Sequence, residues 1–145
     1  MDTTQGGTAR FTVVEGMRVR YAREGSGPVV LLLHGSGSSL DAYDAVTARL
    51  RTSFDVIRPD LPGCGLTGPR PDRDYRIAAY TRFVAGFLDD QDVRACTLVG
   101  HSLGGNIAWN FALDHPARTT GLVLLNATGY PGKTLPLAMR LARTP

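Results

Sequence analysis

The sequence predicts an α/β fold: a mostly parallel, doubly wound sheet with helices on both faces. Three observations predict it. Short apolar runs bounded by Gly or Pro alternate with longer stretches whose apolar residues recur at helical spacing. Strands in such an alternation need crossovers, which makes neighbouring strands parallel. The 145 residues, 43% hydrophobic and 20% charged, suffice for one domain with a real core.

The elements follow in order. Residues 1–9 read as a loose leader. Phe11 to Val14 and Met17 to Tyr21 are β-type runs around Glu15-Gly16, a hairpin. Val29 to Leu33 is a continuous apolar run between Pro28 and His34-Gly35, the mark of a strand buried on both faces. A Ser/Gly loop follows, and Asp41 is placed to cap a helix to about Leu50 with Tyr43, Val46 and Leu50 on one face. Phe54 to Arg58 reads as a strand and Pro59 to Pro71 as a loop. From Arg76 to Leu88, residues Ile77, Tyr80, Val84, Phe87 and Leu88 keep helical spacing. Ala95 to Val99 reads as a strand, and Ser102 to Asp114 as a helix that Pro116 stops. Leu122 to Leu125 reads as a further strand. Thr134 to Arg143 reads as a short amphipathic helix, with Leu135, Ala138 and Leu141 in line.

Charge and cysteines exclude several classes of function. The net charge of +3 comes from scattered Arg, which describes a solvated basic surface. No basic stripe carries interleaved aromatics, so no nucleic-acid partner is expected. Cys64 and Cys96 form no CxxC, and no His/Cys/Asp cluster has ligand spacing, so neither metal nor cofactor is expected. Met1 to Arg10 is polar and Val29 to Leu33 is far too short to span a bilayer, so a cytoplasmic protein without membrane contact is expected.

Two stretches carry chemistry. Gly100-His101-Ser102-Leu103-Gly104 fits G-x-S-x-G and falls directly between a strand and an amphipathic helix. A turn that sharp strains the serine backbone, holds its hydroxyl above the sheet and demands small neighbours, hence Gly100 and Gly104. The helix N-terminus beside it favours an oxyanion. The second stretch, His34-Gly35-Ser36-Gly37, follows the apolar strand. Its glycines let the Ser36 N–H turn inward, to form an oxyanion hole with the Leu103 N–H. Both stretches leave carboxyl ends of strands, where doubly wound sheets place their sites. His34 and His101 are read as support for the loop and the elbow, with the His101 side chain pointing away into the elbow's packing, His115 as a helix-end cation, and Asp60 as a turn residue.

With Arg58-Pro59-Asp60-Leu61-Pro62-Gly63-Cys64-Gly65 and His115-Pro116 before Gly121 to Asn126, these pieces resemble, in order, the α/β-hydrolase superfamily in its capped, serine-nucleophile branch. The likeness covers roughly residues 10–130. Cys64 departs from it, since relatives more often carry an aromatic residue or His there. The resemblance implies an eight-stranded sheet with its second strand antiparallel, truncated here after about the sixth strand, with 10–130 in the core and 131–145 starting a cap. It implies a Ser102 nucleophile attacking a small-molecule ester or related acyl bond, esterase- or lactonase-like. The triad acid and histidine are expected beyond residue 145, so this chain by itself is expected to be inactive. Some relatives seat the acid just after the sixth strand, where this chain has Asn126, which carries no charge. The competing expectation is a non-catalytic or degenerate fragment. An open sixth-strand edge would then serve as an interaction or dimerisation module.

Overall fold

The computed structural model describes residues 9–130. The expected leader lies almost wholly, and the expected cap start and its 134–143 helix wholly, outside the described residues. Six strands form one sheet: β1 Arg10–Val14, β2 Met17–Glu24, β3 Val29–Leu33, β4 Asp55–Pro59, β5 Cys96–His101 and β6 Thr119–Leu125. Their spatial order is β1-β2-β4-β3-β5-β6. β2 runs antiparallel to both β1 and β4, while β3, β4, β5 and β6 are mutually parallel. The α/β-hydrolase arrangement expected from the sequence is present, with its second strand antiparallel.

Among the described residues, three α-helices pack on the sheet: α1 Asp44–Leu50, α2 Ile77–Asp90 and α3 Leu103–Asp114. Strand alternation divides the core between the two faces. Leu31 and Leu33 of β3 join Ile57, Phe83, Phe87, Ile107 and Phe111 beneath α2 and α3. Val30 and Leu32 join Val56 and Tyr43 on the α1 side. An all-apolar strand buried on both faces is the physical requirement of a central parallel position.

The helix after the first loop differs from expectation. It opens with a 3-10 turn over Leu40–Tyr43, and Ser39 rather than Asp41 caps it, its hydroxyl accepting the Asp41 N–H. Asp41 turns outward to the Arg20 guanidinium, 2.8 Å away on both carboxylate oxygens. The tighter turn shifts the helical phase. Leu40, Tyr43 and Thr47 face inward, and Val46 is 43% exposed. Arg58, buried in β4, fixes this segment through Asp44, through the Leu40 carbonyl at 3.0 Å and through Glu24 at 3.0 Å.

β1 and β6 are the edge strands among the described residues, and on β6 Leu122, Val123 and Leu125 are exposed by 40–45%. No described helix is long and apolar enough to cross a membrane.

Candidate active site

The turn from β5 into α3 holds Ser102 at φ 52° and ψ −112°, a conformation costly for any residue with a side chain. Close packing explains both flanking glycines. A Cβ on Gly100 would overlap the Gly104 carbonyl, and a Cβ on Gly104 would overlap the Leu33 carbonyl. Hydrogen bonds on both sides fix the strained residue. Its N–H donates to Leu125 O at 3.0 Å. Its carbonyl accepts the Asn106 N–H at 3.0 Å and the Thr128 N–H at 3.2 Å, with the Thr128 hydroxyl at 3.4 Å. The segment after β6 thus clasps the turn, and the Trp109 indole, donating to Thr128 O at 3.2 Å, ties that segment to α3.

The loop after β3 passes directly beside this turn. A Cβ built on Gly35 would lie 3.3 Å from the Ser102 Cβ and 3.0 Å from His101 Nδ1. Ser38 N–H donates to Gly35 O at 3.3 Å, and Gly37 has φ +67°. These define a turn whose third residue needs the left-handed region, so Gly37 serves conformation rather than space. Among the described residues, neither the Ser36 nor the Leu103 N–H donates to another group of the chain. One of these donors directly follows Ser102 in the chain, and the other directly follows Gly35.

His34 is 1% exposed, and both its ring nitrogens are engaged. Nε2 accepts the Leu61 N–H at 2.9 Å, which assigns the proton to Nδ1, donating to Gly35 O at 2.8 Å. Burial holds this imidazole below its ordinary pKa, against the opposing pull of the Gly35 carbonyl and of Asp60. Its Nε2 is fixed as an acceptor toward β4, so it offers Ser102 no base.

His101 departs from expectation. It does not pack within the elbow but is exposed, at the end of a strand where Gly100 faces inward and alternation turns its neighbour outward. With His34, Gly35, Ser38, Tyr43 and Leu125 it lines a small cavity of about 140 Å³. The hydroxyl of Tyr43 donates to Leu33 O at 3.0 Å, and burial raises its pKa. His115 caps the far end of α3, its ring 4.6 Å from that of Phe111.

Two residues of this region carry more than the sequence reading gave them. Asp60, read as a turn residue, is fully buried and accepts two backbone N–H groups. Thr128, unremarked, holds the Ser102 carbonyl. The signal for Asp60 was Gly65, five residues on, where only hydrogen fits against the carboxylate. Thr128 had no such signal. Among the described residues no group of three or more His, Cys, Asp or Glu could hold a metal ion.

A family model described as the alpha/beta hydrolase fold matches residues 28–143. An uncharacterized protein of Mycobacterium tuberculosis is 39% identical over 138 residues, which are 95% of this chain and 40% of that protein. The 2-hydroxymuconate semialdehyde hydrolase of a Pseudomonas strain is 32% identical over 123 residues, 83% of this chain and 44% of the hydrolase. The crystal structure of a membrane phospholipase A, a bacterial virulence factor, superposes with a TM-score of 0.85 at 30% identity, over 95% of this chain and 46% of that one. The chain spans less than half the length of these relatives. It belongs to the alpha/beta hydrolase fold family.

Proposed function

We propose that this chain carries the nucleophile half of a serine hydrolase that cleaves a small-molecule carboxylic ester or related acyl bond, esterase- or lactonase-like, through an acyl-enzyme on Ser102. The observation that carries the reading is the strained Ser102 backbone, held between two glycines whose substitution would collide with main chain. Folding does not favour such strain by itself; it persists where a side chain must be presented.

The chemistry follows in two steps. A histidine from the remainder of the protein, oriented by an acid, removes the Ser102 proton. The hydroxyl oxygen attacks the substrate carbonyl carbon, and the N–H groups of Ser36 and Leu103 receive the oxyanion. The leaving group departs with the histidine's proton, and water then hydrolyses the acyl-enzyme by the same route in reverse. His34 and Gly35 hold the loop, Gly37 shapes its turn, and Gly100 and Gly104 permit the elbow. Asn126, at the end of β6, has no charge with which to stabilise an imidazolium, so the acid comes from elsewhere. A serine rather than an aspartate at position 102 argues against alkyl-enzyme chemistry of the dehalogenase kind. The likeness to a semialdehyde hydrolase and a phospholipase supports hydrolysis and leaves the substrate open. In this reading residues 10–130 form the core and residues from 131 begin a cap that selects the substrate. Two unpaired thiols, Cys64 and Cys96, fit a reducing compartment such as the cytoplasm.

The test is a fluorophosphonate probe on the intact gene product, read by intact mass, with Ser102→Ala as control. One equivalent of label, lost in the variant, is expected. A folded protein that takes no label would sink the reading. The exposed β6 edge favours a second reading, a non-catalytic module that associates through that edge. Concentration-dependent association without labelling would support it.

A further inference from the structure

The stretch Asp60-Leu61-Pro62-Gly63-Cys64-Gly65 after β4 takes no part in acyl transfer, yet it contains a fully buried carboxylate. Asp60 reaches three segments. Oδ1 accepts the Leu40 N–H at 2.7 Å, Oδ2 accepts the Leu66 N–H at 2.8 Å, and the Arg20 guanidinium lies 3.5 Å from Oδ2. A buried carboxylate is retained only when it is satisfied in this way. Gly65, at φ +54°, completes the enclosure, because a Cβ there would overlap the Asp60 carboxylate.

Leu40 ends the loop that His34 begins. The start of the loop is tied to Leu61 through His34 Nε2, and its end to Asp60 through the Leu40 N–H. Both ends of the loop therefore rest on two consecutive residues at the end of β4. Ser36 lies between the anchors, within the Gly35–Ser38 turn. We propose that Asp60 is a positioning residue for the Ser36 N–H: by clamping the loop at Leu40 it sets where that donor stands relative to the oxyanion on the carbon bonded to Ser102. The role rests on the reading of Ser102 as nucleophile and Ser36 as donor. Arg20, paired with Asp41 as well as with Asp60, links the clamp to the 3-10 turn beyond the loop.

Asp60→Asn replaces one acceptor with an NH₂ group. In either amide orientation a donor then faces the Leu40 or the Leu66 N–H. Gly65→Ala displaces the carboxylate without removing its charge. Both variants are to be measured in the intact gene product, with p-nitrophenyl acetate as substrate probe and phenylboronic acid as tetrahedral-anion probe. Each is expected to lower kcat by about 10- to 100-fold with KM within about twofold, and to weaken boronate inhibition by about the same factor. Folded variants with wild-type kcat and boronate affinity would overturn the role. A lower kcat with unaltered boronate affinity would also overturn it, since the loss would not pass through the oxyanion donors. Loss of fold in both variants would assign Asp60 to stability and overturn it too. Full hydrolysis by Ser102→Ala, or a wild-type protein without turnover, would instead remove the Ser102 reading on which the role depends.

Discussion

Gly104 lies so close to the Leu33 carbonyl that a methyl group on its Cα would overlap both the oxygen and the carbon of that peptide. The first turn of α3 is therefore packed directly on the main chain of the central strand. Gly104→Ala must push α3 away from β3 and is expected to destabilise the fold by at least about 1–3 kcal/mol. Urea denaturation followed by circular dichroism checks it. An unchanged midpoint would show that the helix can lift freely.

Burial holds His34 below its ordinary value of 6.5 in the folded chain. As pH falls below that value, the unfolded imidazole takes up a proton that the folded one refuses, so stability falls. A protonated Nε2 would also face the Leu61 N–H as donor against donor. The urea midpoint is expected to drop between about pH 7 and about pH 5, and the drop to shrink in His34→Gln, which keeps an acceptor for Leu61 without a titrating ring. An equal drop in the variant would place the pH sensitivity elsewhere.

Arg58 is 1% exposed and bridges Glu24, Asp44 and the Leu40 carbonyl. Arg58→Ala leaves the largely buried Glu24 with Arg51 as its remaining ion-pair partner and is expected to cost about 3 kcal/mol. Arg58→Lys is expected to recover only part of that, because one ammonium cannot span the three acceptors as a guanidinium fork does. Chemical denaturation of the two variants side by side gives the comparison.

The two thiols should differ sharply in reactivity. Cys96 is 1% exposed, and burial pushes its pKa up to about 11. Cys64 is only partly buried. A disulfide exchange reagent at mildly alkaline pH is expected to modify Cys64 in the native protein and Cys96 only after unfolding. Rapid modification of both native thiols would show that the strand carrying Cys96 opens readily.

Much of the architecture is legible in the residues because it rests on local rules. The Val29 to Leu33 run matches β3 to the residue, since five consecutive apolar side chains have no other economical place than a strand covered on both faces. The apolar line of α2 holds from Ile77 to Leu88 for the same kind of reason. Where the chain departs from its local reading, a distant partner is responsible. Arg20, twenty-one residues before Asp41, draws that carboxylate outward and leaves the cap to Ser39. β2 runs on to Glu24, three residues past the expected end, because β4 pairs with Tyr21 through Glu24. Asp60 reads as a turn residue until Leu40, Leu66 and Arg20 are placed around it. The turn at Ser102 and the Gly35–Ser38 loop are conspicuous in sequence because each needs glycine at fixed positions. Of the side chains that hold them, Asp60 is marked only indirectly, by Gly65, and Thr128 carries no mark.

The sheet order also sets a sequence of events in time. Among the described residues, β1 and β2 are the only neighbouring strands joined by nothing more than a two-residue turn, Glu15-Gly16. β3 must wait for β5, pairing Val30 with Thr97, before the centre of the sheet can close. Contacts that far apart in sequence cost loop entropy before they return any stabilisation, so such a fold assembles slowly. A nascent chain emerging from the ribosome can form its hairpin at once and offer β4 to one edge of β3 soon after, but it must hold the other edge of that apolar run unpaired until β5 has been made.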